Sequence, residues 1–433
     1  MRTIISHTVS DIPAFKKGLL QWAQQFREVV WLDSHGHTDK YTSFDGLLAV
    51  DAHSTLLTDG QNAFEELTAY RKNTDDWLFG YLSYDLKNNL EQLTSTNFDG
   101  LGFPALHFFR PKRMVKIVDG KVLFMYLGEV AGEIERDREE IEKTMERTMD
   151  GDISQRPLQA IPRMDKEEYL DRVAQLLAHI KRGDIYEANF CQEFFVEGYT
   201  LDPLAAYFKL MDISEPPFAT YLKLGTGYAL SASPERYLKK QGINLISQPI
   251  KGTKRRSRDA QIDHELVLEL SADPKERAEN IMIVDLVRND LSKTAVKGSV
   301  RVVELCKVYT FKQVHQMIST IVADVSPDQD PVQILKGTFP MGSMTGAPKL
   351  SAMKIIEGLE LTKRGLYSGA VGYFTPEGDF DFNVVIRSIL YNASKKYISF
   401  SVGSAITGGS VPENEYEECL LKAAALRAVL EGA

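Results

Sequence analysis

Residues 248–253 read Gln-Pro-Ile-Lys-Gly-Thr and follow a predicted strand at residues 242–247. Pro249 cannot donate a hydrogen bond to a sheet, and Gly252 lets the backbone approach a ligand closely. The segment is therefore predicted to be a strand end that turns into a loop. Lys251 is held there on a short tether. A lysine in this position is either a solvated surface charge or a nucleophile, and the rest of the chain decides between the two.

Composition and charge exclude several classes of protein. Of the 433 residues, 43% are hydrophobic and 26% are charged, which is typical of a folded enzyme-sized chain and does not indicate disorder. The net charge of -9 argues against a general nucleic-acid binder, because such proteins need a basic face. An acidic protein that binds an anionic substrate must concentrate positive charge or a metal locally.

The cysteines and the amino terminus bear on location. Cys191, Cys306 and Cys419 are far apart and show neither zinc-binding nor disulfide spacing, which fits a reduced setting. Residues 1–20 lack the continuous apolar core of a signal peptide, and no stretch approaches the roughly 20 apolar residues of a membrane span. We therefore expect a cytoplasmic protein with no membrane partner.

A polar stretch divides the chain into two parts. Residues 1–130 alternate short β-rich runs with polar turns, which is typical of antiparallel sheet. A charged helix predicted at residues 133–148 then gives way to a linker rich in glycine, serine, aspartate and proline. We therefore expect an amino-terminal β-rich region at residues 1–150 and a second domain at residues 160–433.

Capping residues define the first elements of the second part. Asp165, with Glu168 three residues later, forms a capping box that begins a helix, and Gly183 ends it. The strand predicted next, at residues 185–195, carries Glu187 among polar side chains that could face a cleft.

Two later hairpins are predicted from glycine and proline turns. One crosses Gly225 between strands at residues 218–224 and 227–231. In the other, Arg387 lies inside an apolar strand predicted at residues 380–390. A guanidinium in such a strand usually pairs with a buried carboxylate or binds an anion.

Two predicted helices carry carboxylates on one face. Asp273 and Pro274 begin the first helix, in which Glu276 and Glu279 are three residues apart and therefore neighbours. A solvated acidic face is the common interpretation of such a pair.

The second of these helices is opened by Ser410 and Pro412 and carries Glu415, Glu418 and Lys422 on one stripe. Its other residues are apolar nearly all round, so we expect it to be buried. Buried carboxylates must then meet cations or a metal. Two facing Glu-x-x-Glu pairs could hold Mg²⁺, and the absence of histidine or cysteine favours a harder ion than zinc.

A glycine-rich loop at residues 342–349, Gly-Ser-Met-Thr-Gly-Ala-Pro-Lys, opens a predicted helix with Pro348 in its first turn. Free backbone N–H groups near Gly346 and the cation of Lys349 would suit a carboxylate or phosphate. The loop lacks the Walker spacing, and an ordinary helix-initiating turn is the alternative.

Six blocks in fixed order resemble the chorismate-utilising enzymes. They lie at residues 233–236, 249–253, 279–290, 346–349, 364–373 and 412–422, and the resemblance covers residues 160–430. It implies an α+β fold with two large stacked antiparallel β-sheets and helices packed outside. The amino-terminal part would contribute strands to the same assembly.

The residue at position 251 is the one that separates family members by product. Anthranilate-forming members typically have alanine at this position, whereas members that form 4-amino-4-deoxychorismate through a covalent enzyme intermediate have lysine. The resemblance thus implies that chorismate and ammonia are converted to 4-amino-4-deoxychorismate. The alternatives are an anthranilate-forming enzyme and a non-catalytic chorismate-binding homologue.

The resemblance also implies roles for site residues. Glu235 would protonate the departing C4 oxygen, and Lys251 would attack C2 as a neutral amine. Arg255 and Arg256, if close, would favour that amine by lowering its pKa. Mg²⁺ would be held by Glu279 and Glu418, with Glu276 and Glu415 outside them. Substrate contacts would come from Gly252, Thr253, Tyr367, Arg387, Gly403, Ser404 and Lys422.

Two departures from the family pattern concern polar residues. Glu187 lies where water-using relatives have a lysine base and ammonia users commonly have glutamine. Its carboxylate would therefore either orient ammonia or be occupied by pairing with another group. The histidine common in one strand of the family is Gln316 here, and its neighbour is His315, so His315 receives no catalytic role.

The resemblance implies two further ligands. Ammonia would come from a separate glutamine amidotransferase subunit, because the chain has no amidotransferase signature of its own. Some relatives bind tryptophan near the segment that matches residues 31–34, where packing of aromatic side chains is the alternative.

Overall fold

The computed structural model describes residues 1–37, 40–145, 158–312 and 314–432. The expected linker and the boundary at residue 150 lie outside these ranges, so the division into two domains stays a prediction. The helix predicted at residues 133–148 is present from Ile134 to Met145, after a 3₁₀ turn, and its last three residues also lie outside the described ranges.

The described residues form twenty strands and eleven α-helices. The strands are β1 (Arg2–Thr8), β2 (Glu28–Asp33), β3 (Gly46–Thr58), β4 (Leu78–Leu82), β5 (Leu106–Val118), β6 (Lys121–Leu127), β7 (Ile161–Pro162), β8 (Glu187–Glu197), β9 (Phe218–Leu224), β10 (Gly227–Ser233), β11 (Arg236–Gln241), β12 (Asn244–Gln248), β13 (Ile250–Arg255), β14 (Arg301–Thr310), β15 (Val314–Asp324), β16 (Gly346–Ala347), β17 (Ala370–Phe374), β18 (Phe380–Val384), β19 (Ser388–Asn392) and β20 (Tyr397–Thr407). The helices are α1 (Ile12–Ala23), α2 (Ala63–Thr74), α3 (Lys87–Leu90), α4 (Ile134–Met145), α5 (Lys166–Arg182), α6 (Pro203–Ser214), α7 (Ala260–Ala272), α8 (Pro274–Ser292), α9 (Pro331–Thr338), α10 (Lys349–Leu359) and α11 (Pro412–Glu431).

The strands form two antiparallel runs that share β5. One run passes from β5 through β4, β17, β18, β11, β12 and β15 to β14, with β13 also paired to β15. The other passes from β5 through β3, β2, β9, β10, β19 and β20 to β8. All pairs between these strands are antiparallel, as expected from the sequence.

The core has two apolar layers. Val30 and Leu222 of one run pack in the same layer as Phe79 and Phe374 of the other, so this layer lies between the two runs. A second layer lies under helices outside the sheets and includes Leu19, Tyr169, Leu210, Phe190, Ile398 and Leu426. The α+β fold, with stacked antiparallel sheets and outer helices, is therefore confirmed.

Strands from the amino-terminal part pair with strands from the rest of the chain. Trp31 of β2 lies opposite Tyr221 of β9, and Phe79 of β4 lies opposite Tyr373 of β17. The side chain of Trp31 is buried. Packing of the aromatic strand residues is thus observed at these positions.

The helix starts predicted from capping residues are confirmed. Asp165 accepts a hydrogen bond from the Glu168 N–H at 2.8 Å, and Gly183 has a φ of +84° after the last turn of α5. Asp273 accepts from the N–H groups of Lys275 and Glu276 at 2.9 and 3.1 Å, so α8 begins where expected.

Several details of the predicted elements are wrong. Residues 248–253 are not a strand end that turns into a loop, because β12 ends at Gln248 and β13 begins at Ile250. The strand predicted at residues 380–390 is two strands, β18 and β19, with Arg387 at a bend between them and a φ of +52°. The strand predicted from residue 185 begins at Glu187. Helix α11 begins at Pro412, but it is not buried all round, because Leu421 is 52% exposed.

None of the helices within residues 1–37, 40–145, 158–312 and 314–432 is both long enough and apolar enough to cross a bilayer.

Candidate active site

A β-bulge positions Lys251. Ile250 lies opposite Ile318 and Thr253 lies opposite Gln316, and the register of β13 against β15 shifts between these two pairs. Gly252, inside the bulge, has a φ of +95°, which favours glycine. A Cβ atom at this position would lie 3.1 Å from Oε2 of Glu276. The bulge therefore brings Lys251 close to the acidic face of α8.

Asn280 ties α8 to the same bulge. Its Nδ2 donates to the carbonyl oxygens of Lys251 at 3.3 Å and of Met317 at 3.2 Å. Its Oδ1 accepts from the hydroxyl of Ser319. Asn280 is 1% exposed, so these bonds form inside the protein. The helix with Glu276 and Glu279 is thus fixed relative to Lys251.

The ammonium of Lys251 lies 3.3 Å from Oε1 of Glu187, whose side chain is 1% exposed. Burial lowers the pKa of Lys251, but the carboxylates of Glu187 and Glu279 raise it above the ordinary value of a lysine. The expectation that arginines lower this pKa is wrong. Arg256 pairs with Asp263 at 2.7 Å, and the exposed Arg255 does not contribute.

Glu235 is a second buried carboxyl group on which the charge of Lys251 acts. It lies in the turn between β10 and β11 and is 5% exposed. Burial raises its pKa to about 7, although a hydrogen bond from Ser343 and the charge of Lys251 oppose this rise. The Ser343 hydroxyl donates to Oε1 of Glu235 at 2.6 Å. A carboxyl with this pKa can hold or release a proton near neutral pH.

The two acidic helix faces meet near one ammonium. Burial raises the pKa of Glu279 to about 7. Burial and the charge of Glu418 raise the pKa of Glu276. Burial lowers the pKa of Lys275, but the charges of Glu279, Glu415, Glu276 and Glu418 raise it above its ordinary value. The carboxylates of α8 and α11 are therefore close enough for their charges to act on the same ammonium.

The carboxylate oxygens on α8 and α11 are donors of the kind that bind a hard cation. Oε1 of Glu279 is buried without a hydrogen bond, and the closest cation is the ammonium of Lys275 at 3.8 Å. Oxygen donors of this kind are those that Mg²⁺ prefers. The described residues contain no group of three or more histidine, cysteine, aspartate or glutamate side chains already arranged to hold a metal ion.

Several predicted substrate contacts lie around this centre. The ammonium of Lys422 donates to the Gly403 carbonyl at 2.8 Å and pairs with Glu418. Arg387 and Lys422 line a small cavity together with Gln316. Within the described part of the chain, the guanidinium of Arg387 has no hydrogen-bond partner, so it is available to an anion. Burial lowers its pKa.

Three further residues on the predicted list have different surroundings. The hydroxyl of Tyr367 lies 3.6 Å from Sγ of Cys191, and burial raises the pKa of Tyr367. Ser404 is buried on β20 opposite Phe190 of β8. Thr253 is exposed at the end of the bulge.

The predicted anion role of Lys349 is not supported by its contacts. Its ammonium donates to the carbonyl oxygens of Pro340 at 2.7 Å and Thr338 at 3.2 Å and pairs with Asp290, which uses all three donors. Lys349 therefore holds the loop. Pro348 is the N-cap of α10 rather than a first-turn residue.

Gly346 has a packing role beside Glu187. It lies opposite Ala188 in a two-residue pairing with β8, and a Cβ atom on it would lie 2.2 Å from the Glu187 carbonyl oxygen. The loop fixes the strand that carries Glu187. The same loop supplies Ser343, which was not singled out from the sequence although it lies within the glycine-rich stretch.

His315 is occupied by other contacts. Its Nε2 lies 2.9 Å from Oδ1 of Asp263 and its Nδ1 lies 3.0 Å from the hydroxyl of Thr310. Both ring nitrogens are therefore engaged, which agrees with the absence of a catalytic role for His315 in the sequence-based expectation.

Comparison with known proteins identifies the family. The sequence pattern of the family described as "chorismate binding enzyme" matches residues 25–428. The chain belongs to this family. It is therefore an enzyme of the chorismate-utilising class, and the resemblance seen in the sequence is confirmed.

Curated relatives of this chorismate-binding enzyme carry two different names. Anthranilate synthase component 1 of Thermus thermophilus is 35% identical over 81% of the chain and 77% of the relative. Aminodeoxychorismate synthase of Streptomyces griseus is 42% identical over 63% of the chain and 37% of the relative. Aminodeoxychorismate synthase component 1 of Escherichia coli is 38% identical over 59% of the chain and 56% of the relative.

Solved structures agree in fold. Anthranilate synthase component I from Streptococcus pneumoniae superposes with a TM-score of 0.78 at 23% identity, covering 90% of this chain and 94% of that one. The menaquinone-specific isochorismate synthase from Escherichia coli gives a TM-score of 0.75 at 16% identity, covering 99% and 95%.

A second cavity lies at residues 31–34, the segment that matches the tryptophan-binding region of some relatives. It measures about 260 Å³ and is lined by Leu32, Asp33 and Ser34 together with Phe44 and Phe218. Its walls combine apolar side chains with polar and charged ones, among them Arg236 and Asp381.

Proposed function

We propose that the chain acts as an aminodeoxychorismate synthase component I. The observation that carries the proposal is the buried pair of Lys251 and Glu187, whose nitrogen and oxygen lie 3.3 Å apart, together with the buried Glu235, whose charge also acts on Lys251. An alanine at residue 251 could not form a bond to the substrate.

Of the three curated relatives described above, two are named aminodeoxychorismate synthase and one is named anthranilate synthase component 1. Both names occur within one family, so family membership does not choose the product. The choice rests on Lys251.

Chorismate presents two carboxylates and a C4 hydroxyl that leaves only when it is protonated. Glu235 would supply that proton, because its pKa of about 7 keeps part of the population protonated near neutral pH. Arg387 and Lys422 would bind carboxylate groups from the small cavity that they line. Glu279 and Glu418, supported by Glu276 and Glu415, would hold Mg²⁺. When bound, the ion would neutralise the ring carboxylate and act as a Lewis acid.

Lys251 would act as the nucleophile. Its nitrogen forms a bond to C2, the electron pairs of the ring diene each shift one bond toward C4, and the C4–O bond breaks as the hydroxyl leaves as water. Ammonia then attacks C4, the pairs shift back, and the C2–N bond breaks to release Lys251. Two displacements replace one difficult step, and the product is 4-amino-4-deoxychorismate, which would serve p-aminobenzoate and folate synthesis.

The cysteines support an external source of ammonia. A glutamine amidotransferase uses a cysteine thiolate, but all three cysteines of this chain are buried. Burial raises the pKa of Cys191 to about 12 and of Cys419 to about 11, and it raises that of Cys306 as well. We therefore include a separate amidotransferase subunit in the proposal. We also propose a cytoplasmic location and the binding of tryptophan in the second cavity.

A product assay tests the proposal. The protein is incubated with chorismate, MgCl2 and ammonium chloride, and the products are separated and identified. We expect 4-amino-4-deoxychorismate from the wild type and none from Lys251→Ala. Anthranilate fluorescence without an added lyase would instead favour the anthranilate synthase activity, which is the name of a relative matched over 81% of this chain. Full turnover by both Lys251→Ala and Glu235→Ala would indicate that neither residue is catalytic.

A further inference from the structure

Glu187 is held rigidly between two other strands. It is the first residue of β8, where it lies opposite Thr407 of β20 and Ala347 of β16. The backbone of Gly346 packs directly against its carbonyl group. The side chain is 1% exposed. Its carboxylate therefore has a fixed position relative to the bulge of β13.

The two oxygens of this carboxylate have different surroundings. Oε1 lies 3.3 Å from the ammonium of Lys251. Oε2 is buried and has no hydrogen-bond partner among the described residues. A buried carboxylate with an unused oxygen loses solvation without full compensation, and such groups are uncommon unless they serve the chemistry of a site.

An attacking lysine must first lose a proton, because an ammonium has no free electron pair. The other carboxylates whose charges reach Lys251 are Glu235, Glu276, Glu279 and Glu418. Glu235 is bonded to Ser343 and is needed as the proton donor to the C4 oxygen, and the other three belong to the acidic faces of α8 and α11. Glu187 is the carboxylate in contact with the nitrogen.

We propose that Glu187 accepts the proton of Lys251 as the lysine attacks and returns it when the lysine is displaced. The inference rests on the proposed function. A proton moves from Nζ of Lys251 to Oε1 of Glu187, and the freed electron pair forms the bond to C2. On release the C2–N bond breaks, and the departing amine regains the proton from Glu187. The proton transfer leaves the net charge of the pair unchanged. Formation of the C2–N bond then leaves a positive charge on the nitrogen, which is balanced by the negative charge that Glu235 acquires when it protonates the departing hydroxyl, so no other reactant is required.

Proton transfer between Lys251 and Glu187 predicts how the rate of adduct formation depends on pH. In the wild type the proton stays within the pair, so the fraction that carries a neutral amine does not depend on bulk pH. Glutamine cannot accept the proton, which must then go to solvent, and the rate of Glu187→Gln rises about tenfold per pH unit until Lys251 titrates. The other ionisable groups titrate in both proteins, so the ratio of the two rates isolates Glu187.

The experiment measures formation of the covalent adduct with chorismate and MgCl2, without ammonia, by rapid quenching and mass spectrometry between pH 6 and 8. We expect the wild type to exceed Glu187→Gln by about 100-fold at pH 6, with the ratio falling as pH rises. Glu187→Asp keeps the acceptor, so it should be slower than the wild type by the same factor at every pH. Chorismate binding and thermal unfolding of each variant show that the site and the fold persist.

The possible failures are distinguishable. A wild-type to Glu187→Gln ratio that does not change with pH would overturn the inference, because loss of a merely positioning group slows the reaction equally at every pH. In that case the adduct on the wild type still supports the proposed function. Absence of the adduct from the wild type itself would overturn both.

Discussion

Gly252 offers a test of how closely the bulge must place Lys251. Alanine at this position must adopt a φ of +95°, which costs about 1–2 kcal/mol for a residue with a side chain. Its Cβ atom would lie 3.1 Å from Oε2 of Glu276 and 3.2 Å from Cβ of Met317. The Glu276 carboxylate can rotate away, but Met317 is fixed in β15, so the bulge itself must shift. A displacement of about 1 Å costs on the order of 100-fold in rate.

Gly298 provides a matched control for this substitution. It has a φ of +81°, and no atom lies within 4 Å of a Cβ built there. Gly252→Ala and Gly298→Ala should both lose about 1–2 kcal/mol of unfolding free energy in urea. Only Gly252→Ala should lose about 100-fold in the rate of chorismate consumption. Equal rates for the two variants would refute the claim that the bulge positions Lys251.

Three other predictions concern the carboxyl groups. Removing the hydrogen bond to Glu235 in Ser343→Ala should raise its pKa above about 7 and move the alkaline limb of kcat/KM to higher pH by roughly one unit, and an unmoved limb would contradict this. The pKa of Glu235 is raised in the fold, so its contribution to stability is present below about pH 4.5 and lost as pH rises through about 7. Glu235→Gln should therefore be more stable than the wild type at pH 8 by about 2–3 kcal/mol in urea unfolding, and equal stability would count against the buried carboxylate. Glu279, with a pKa of about 7, must be ionised to bind a cation, so MgCl2 should raise the unfolding temperature more at pH 8 than at pH 6. Glu279→Gln is the control, and an equal increase at both pH values in the wild type would contradict the assignment.

Much of the fold could be predicted because local signals agree with it. Asp165 and Asp273 cap helices through their own side chains, and Gly225 makes a turn that needs a positive φ. Arg387 was misplaced because the apolar run on both sides of it looks like one strand. The bend there depends on pairing with different neighbours, since β18 pairs with β11 and β19 pairs with β10.

The site was predicted less completely than the fold. Residues in the recognised blocks, such as Lys251 and Glu235, could be named from the sequence because their types and order are specific. Their electrostatics could not be predicted, because the pKa of Lys251 depends on Glu187, which is 64 residues away in sequence. The same limit applies to Lys349, which is bonded to Asp290 rather than free for an anion.

The covalent bond to Lys251 is the central claim, and one measurement tests it most directly. The wild-type protein is mixed with chorismate and MgCl2 without ammonia, quenched, digested and analysed by mass spectrometry. The account predicts a peptide in which Lys251 carries the mass of chorismate less one water, and its loss when ammonium chloride is added. Unmodified Lys251 in a protein that forms 4-amino-4-deoxychorismate on addition of ammonia would contradict the account.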